Sequence, residues 1–346
     1  MPGDDAWNPV QFTRLRVTLD GGPQPWSVPV DYYRLLRAGV YRLLGTVAPD
    51  LAEFLHTGGF SAEFPAVDWR GPRDVPPAAP DAGAAGGTAE RFKLFCFSSL
   101  IGKGALRGNR LFFDRPVAWF FATPLGFLAE AMLAALRQAH VMQLGRARLN
   151  VADLRLLDEP ASAPSLTGLL LSPLVISATL PAGAPAEGPS DTIDPAAAGA
   201  EPSVSIEASR SNVTDNEDVP HPRPGRQRYY LTREDGIVVT EARLRSNLLA
   251  KHRALYGTEP AEDAEFRFLW AVASEFWPTP DRPTRLIRLS GTGEPPVRVR
   301  GNLGTVTLAG SPDLLQLSLH AGLGQHNASG LGFVLPAAEA SLLPVA

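Results

Sequence analysis

The chain carries one cysteine in 346 residues, Cys96. An internal disulfide and a cysteine-built metal cluster are both excluded. Cys96 stands among Phe92, Leu94, Phe95 and Phe97, a setting for a buried structural thiol rather than a nucleophile. Lysine is almost missing: only Lys93, Lys103 and Lys251 occur. No apolar run approaches the roughly 18 residues that a spanning helix needs, so no membrane is expected as a partner. The start, Met1-Pro2-Gly3-Asp4-Asp5, is polar and acidic, unlike a secretory signal, and a cytoplasmic location is expected. No obvious cluster of Asp and Glu marks a two-metal site. Neither a metal nor any other cofactor is expected.

Arginine is what the chain has instead. The net charge of −4 hides an uneven spread: residues 181–220 hold eight acids and one base, and residues 61–90 hold five acids and two bases. Outside these segments 29 bases face 23 acids, so the folded part is expected to be basic. Arginine suits bidentate phosphate contact and stacking on bases, though a GC-rich genome gives the same bias. Residues 61–90 and 181–225, rich in Pro, Ala, Gly and acids, read as solvated, mobile insertions that bury no core.

Between the insertions the periodicities are regular. Residues 12–19 alternate, with Leu15, Val17 and Leu19 on a buried face and Arg14, Arg16 and Thr18 opposite, as in a half-buried strand. Asp31 suits an N-cap, and Tyr33, Leu36, Val40, Leu43 and Leu44 form one helical face. Arg34, Arg37 and Tyr41 share another face. A short second helix ends at His56 before Gly58-Gly59, where a histidine is commonly only a cap. Residues 91–98 read as a strand in a hairpin with 111–113. Residues 117–122 form a strand, 124–139 an amphipathic helix and 148–157 a strand. A second unit begins at 169–177. It continues through a helix at 237–255, strands at 286–289, 297–299 and 305–308, a short helix at 312–320, and a closing strand at 332–335. The fold class is α+β, with two tandem ferredoxin-like βαββαβ units. The expected domains are 10–160, interrupted at 61–90, and 165–346, interrupted at 181–225.

The densest local signal is Gly322-Leu-Gly-Gln-His-Asn-Ala-Ser-Gly-Leu-Gly332. Such a loop can adopt positive φ and turn backbone N–H groups toward a phosphate. A dinucleotide-binding fingerprint would need a βαβ unit around it. Only 14 residues follow Gly332, which rules that out and leaves a phosphate cradle or a plain surface turn.

Several motifs, in order, complete the picture. They are Asp31-Tyr32-Tyr33, Ala38-Gly39-Val40-Tyr41-Arg42-Leu43-Leu44, Phe54-Leu55-His56 and Phe92-Lys93-Leu94-Phe95-Cys96-Phe97-Ser98. Then come Leu171-Ser172-Pro173-Leu174-Val175-Ile176-Ser177, Asn247-Leu248-Leu249-Ala250-Lys251-His252, Arg300-Gly301-Asn302-Leu303-Gly304 and the glycine loop. Each is weak alone. As an ordered set spanning nearly the whole chain outside the insertions, it resembles the CRISPR repeat-processing endoribonucleases of the RAMP superfamily.

The resemblance implies metal-independent cleavage of CRISPR repeat RNA in precursor transcripts. The ribose 2′-hydroxyl attacks the adjacent phosphorus, leaving a cyclic phosphate and a 5′-hydroxyl. It places the family's catalytic tyrosine on Tyr41, its histidine on His56 and its lysine on Lys93. It sets RNA against Arg34, Arg37, Arg300 and the loop residues Gly322, Gly324, Gln325, His326, Asn327, Gly330 and Gly332. The implied partners are repeat RNA (precursor crRNA) and other CRISPR effector-complex subunits. One departure is the segment 61–90, which parts His56 from Lys93 further than the family pattern does. Histidine, with a free pKa of about 6.5, suits proton transfer near neutrality, and tyrosine, at about 10, suits donation. Which of His56 and Tyr41 is base or acid stays open. The other histidines are poorer candidates: His140 and His320 end helices, His221 lies in the acidic segment, and His252 and His326 are expected to face RNA. A non-catalytic RNA-binding RAMP subunit of an effector complex would share the fold and the loop, and is the alternative.

Overall fold

In the computed structural model, which describes residues 9–71, 90–160, 163–180, 227–271, 283–290 and 297–344, the first strand lies at the centre of its sheet. It is β1 (Val10–Asp20). After it come β2 (Trp26–Pro29), α1 (Tyr33–Val47), α2 (Pro49–Thr57), β3 (Cys96–Phe97), β4 (Gly104–Arg107), β5 (Arg110–Phe113), β6 (Val117–Leu125), α3 (Gly126–Ala139), β7 (Val141–Leu144) and β8 (Ala147–Leu157). The sheet order is β3-β6-β1-β8-β7, which is the ferredoxin-like order with one added edge strand. The antiparallel register sets Leu15 opposite Phe121 on β6 and Leu156 on β8.

The second unit comprises β9 (Ser165–Leu170), β10 (Ser177–Leu180), β11 (Gln227–Tyr230), α4 (Ile237–Tyr256), β12 (Phe266–Trp270), β13 (Thr284–Arg288), β14 (Arg298–Asn302), β15 (Thr305–Gly310), α5 (Pro312–His320) and β16 (Val334–Pro336). Its sheet order, β12-β15-β9-β16, repeats the ferredoxin-like arrangement. β10 pairs with β11 and β13 with β14 as separate ribbons. The α+β class and the tandem ferredoxin-like arrangement are as the periodicities predict.

Four local expectations are corrected. First, β1 is buried on both faces. Leu15, Val17 and Leu19 enter the core as expected, but Arg14 is fully buried too. The 3-10 turn Ala337–Leu342 covers that face: Arg14 holds Glu339 by bonds of 2.8 and 2.9 Å, and Arg16 Nε donates to the Leu342 carbonyl at 2.8 Å. A side chain 325 residues distant in sequence turns a polar face into an internal ion pair. Second, Asp31 is no N-cap; Tyr32 holds that position without a side-chain bond.

Third, the 91–98 segment pairs with β6, not with 111–113: Cys96 faces Ala122 and Phe97 faces Phe121. β5 instead joins β2 and β4 in a small side sheet, because Trp26 stacks on Phe113 with ring centroids 4.6 Å apart. Fourth, the segment beginning at residue 61 is not wholly an insertion. Ala66 and Trp69 are buried, and Phe54 meets Trp69 at 4.6 Å between ring centroids. Gly257, at the end of α4, abuts Pro65. Residues 61–71 thus wedge aromatic bulk between α2 and α4. The remainder of that segment, 72–89, and the acidic 181–225 lie outside the described residues, as does His221.

The two units join through the outer face of the first sheet. Cys96, Ala118, Phe120 and Ala122 meet Leu169, Leu171, Phe333 and Leu335 in one apolar cluster. β6 is therefore buried along its whole length, which is why it reads as a continuous apolar run and not as an alternating one.

Candidate functional site

α1 and α2 are successive helices whose packed faces leave one cleft-side row free. On α1, Tyr33, Leu36, Gly39, Val40, Leu43 and Leu44 are buried. The opposite row carries Arg34, exposed, and Arg37 and Tyr41, half-buried. α2 is short because Gly58 caps it, and His56 lies exposed in its last turn. The Tyr41 ring stands edge-on to the His56 ring, 5.4 Å between centroids, and also meets Phe95 at 6.2 Å. The Tyr41 hydroxyl donates to the Leu55 carbonyl at 3.2 Å, which ties the two helices together directly beside the imidazole.

Lys93 completes the group. Phe60 and Phe92 exchange two backbone hydrogen bonds of 2.7 Å, which returns the chain to α2 after the long excursion. Lys93 Nζ then donates to the His56 carbonyl at 3.5 Å. The structure brings Tyr41, His56 and Lys93 into one patch although the last two are 37 positions apart in sequence. Sequence spacing exaggerates their separation because the Phe60–Phe92 bridge closes the loop.

The glycines of the loop take positive φ: Gly322 +80°, Gly324 +69°, Gly330 +84° and Gly332 +70°. All four, and Asn327, are buried, and several backbone groups of the loop bond internally. Leu323 N–H donates to Gly332 O, Gln325 N–H to Val175 O, Gly330 N–H to Asn327 O and Gly332 N–H to Pro173 O, each at 2.9 Å. Gly322, Gly324, Asn327, Gly330 and Gly332 thus lie below the surface of the loop. The glycines serve close packing. A Cβ on Gly332 would sit 1.9 Å from Leu323 O, one on Gly324 2.4 Å from Val175 O, and one on Gly330 2.3 Å from the Phe97 ring. The loop is a plug between the units. Gly332→Ala is expected to cost on the order of 2 kcal/mol from backbone strain alone, read as a lowered Tm. Only Gln325, His326 and Ala328 are half-buried and so reach the surface; Gln325 is held by Ser177 Oγ at 2.7 Å.

At the centre of the plug lies Lys251, 2% exposed. Its ammonium donates to Gly322 O at 2.7 Å, Gly324 O at 3.1 Å and Asn327 Oδ1 at 2.7 Å. Burial pushes its pKa down to about 7, with Cys96 and Glu90 acting in the other direction. Burial in turn pushes the Cys96 thiol up, and the nearby Lys251 opposes that. By sequence, Lys251 stands only within a motif, with no role of its own. The signal was present: Leu244, Leu248, Lys251 and Leu255 follow helical spacing and are all buried, so the lysine belongs to the apolar face. His252 is buried as well, bonded to Thr258 O at 3.0 Å and packed on Tyr256. His320 ends α5, with its ring between Gln316 O and Glu159.

The plug and the His56 patch are neighbours. A Cβ on Gly322 would meet Cys96, and Cys96 is three residues from Lys93, at most about 10 Å of extended chain. Arg300 lies further off. It is exposed on β14, opposite Leu286, while Arg298 stands opposite Arg288. This ribbon leans on the N-terminal end of α1, where Arg285 lies 5.9 Å over the Tyr33 ring. Tyr33 and Tyr41 are eight residues apart, about 12 Å along the helix. Arg34, Arg37 and the His56 patch follow one another along a single side of α1, and Arg300, paired with Leu286, points to the ribbon face opposite Arg285.

Residues 222–335 match the family model of the C-terminal domain of CRISPR associated protein Cas6. Solved structures share the fold over nearly all of this chain. "Characterization of a Cas6-related gene from Pyrococcus furiosus" describes one, with a TM-score of 0.61, 13% identity and coverage of 95% of this chain and 100% of that one. "An RAMP protein binding different RNA substrates" has a TM-score of 0.59, 14% identity and coverage of 94% and 99%. "CRISPR associated protein Cas6" has a TM-score of 0.58, 16% identity and coverage of 94% and 100%. No curated protein matches the sequence. The tandem ferredoxin-like fold is thus shared with these solved structures. Over residues 222–335, about a third of the chain, the sequence is also similar to the C-terminal domain of Cas6. Among the described residues, no helix is long and apolar enough to cross a membrane.

Proposed function

We propose that the protein is an endoribonuclease that cuts CRISPR repeat RNA beside His56. The observation that carries this reading is the meeting of an exposed imidazole, a phenol ring at 5.4 Å and an ammonium at 3.5 Å from the same helix turn. Strand transesterification needs a proton taken from the 2′-hydroxyl, a proton given to the 5′-oxygen, and positive charge for the phosphorane. His56 handles one proton. Tyr41 orients the ribose or supplies the other proton, and Lys93 stabilises charge on phosphorus. The basic side of α1, with Arg34 and Arg37, and Arg300 on β14 would guide the RNA backbone, joined by Gln325 and His326 at the rim of the plug. The catalytic group falls in the proposed unit 10–160, and 165–346 supplies the plug and the arginine ribbon.

Metal independence follows from this division of labour, since side chains fill all three roles. Cleavage of a cognate repeat in EDTA, giving a cyclic phosphate and a 5′-hydroxyl, is the expected result. Tight binding of uncut repeat RNA would instead favour the RNA-binding subunit of an effector complex.

A further inference from the structure

We propose that Arg91 is a second phosphate-stabilising cation of this site, an inference that rests on the cleavage reading above. The Phe60–Phe92 bridge holds residues 91–93 extended. In an extended segment the residues on either side of Phe92 point the same way, so Arg91 and Lys93 form a pair. Both reach the last turn of α2. Lys93 Nζ lies 3.5 Å from the His56 carbonyl. Arg91 Nη1 lies 3.0 Å from the place a Cβ on Gly58 would occupy. Its guanidinium therefore rests on bare backbone two residues past His56, and the side chain is exposed.

Two cations thus meet at one helix turn: Lys93 on the His56 carbonyl and Arg91 against Gly58. A helix C-terminus offers only roughly half a negative charge. The pair stands where the reaction builds negative charge. As the 2′-oxygen bonds to phosphorus, its proton passes to the base. The bond to the 5′-oxygen then breaks, and that oxygen takes a proton from the acid. Through the step the two non-bridging oxygens carry the charge. The flat fork of an arginine spans both, and the lysine supplies a point charge beside them. No bond to the protein forms.

The test compares the parent with Arg91→Ala and Lys93→Ala in single-turnover cleavage of repeat RNA. For Arg91→Ala the expected loss is about 10²-fold in rate, with Kd and Tm close to the parent. Guanidinium ion added to the buffer should restore part of the rate in Arg91→Ala and none in Lys93→Ala. Parent-like cleavage by Arg91→Ala overturns the proposal, and so does a loss confined to Kd or a loss that guanidinium leaves untouched. A parent protein that binds but never cuts repeat RNA overturns the cleavage reading itself, and is told apart because the parent is then inert.

Discussion

Replacing His56 with alanine is expected to slow single-turnover cleavage of repeat RNA by about 10²–10⁴-fold, with RNA affinity nearly unchanged. The side chain is exposed in the last turn of α2, so truncation leaves no buried cavity, and the fold should be indifferent to it. The RNA-guiding residues proposed here, Arg34, Arg37 and Arg300, lie elsewhere along α1 and on β14, so binding should survive. The pairing of slow chemistry with intact affinity is what separates a proton-transfer role from a grip on the RNA. Equal rates for parent and variant would remove His56 from the mechanism. A rise in Kd that parallels the fall in rate would recast it as a phosphate contact.

Lys251→Met should be the most destabilising single change in the plug. The variant keeps the bulk and removes three donors, leaving Gly322 O, Gly324 O and Asn327 Oδ1 unpaired in the interior. At about 1–3 kcal/mol for each buried group left unsatisfied, the total is on the order of 4 kcal/mol, visible in chemical denaturation.

The pH dependence provides an independent check. Folded Lys251 titrates near 7 and the unfolded side chain near 10.5. Below pH 7 both states are protonated. Between 7 and 10.5 the unfolded state binds more protons than the folded one, so this residue makes stability rise with pH, by at most about 1.4 kcal/mol per unit. The parent should gain stability relative to Lys251→Met as pH climbs from 7 toward 10. A parallel pair of stability–pH curves would show that Lys251 stays charged in its oxygen cage.

The same lysine shows what a sequence conceals. Periodicity placed it on the apolar face of a helix, yet nothing in the chain named the three oxygens that would receive it. Those oxygens come from a loop 71 to 76 residues further on. Arg14 is a parallel case. Its alternation with Leu15 made it a solvent-facing residue, until a turn 325 residues away closed over it.

Local pattern by itself determined the elements: the alternation of β1, the apolar stripe of α1, the glycine stops and the repeated βαββαβ order. The motifs that carry the resemblance also singled out Tyr41, His56 and Lys93 as candidates. Tertiary structure alone decided which way the glycine loop faces. Positive φ permits a backbone to present its amides to a phosphate or to pack against a neighbour, and the dihedrals do not distinguish the two. The neighbours do: Val175, Phe97 and Lys251 pack against the loop, so the carbonyls of Gly322 and Gly324 turn inward to the lysine.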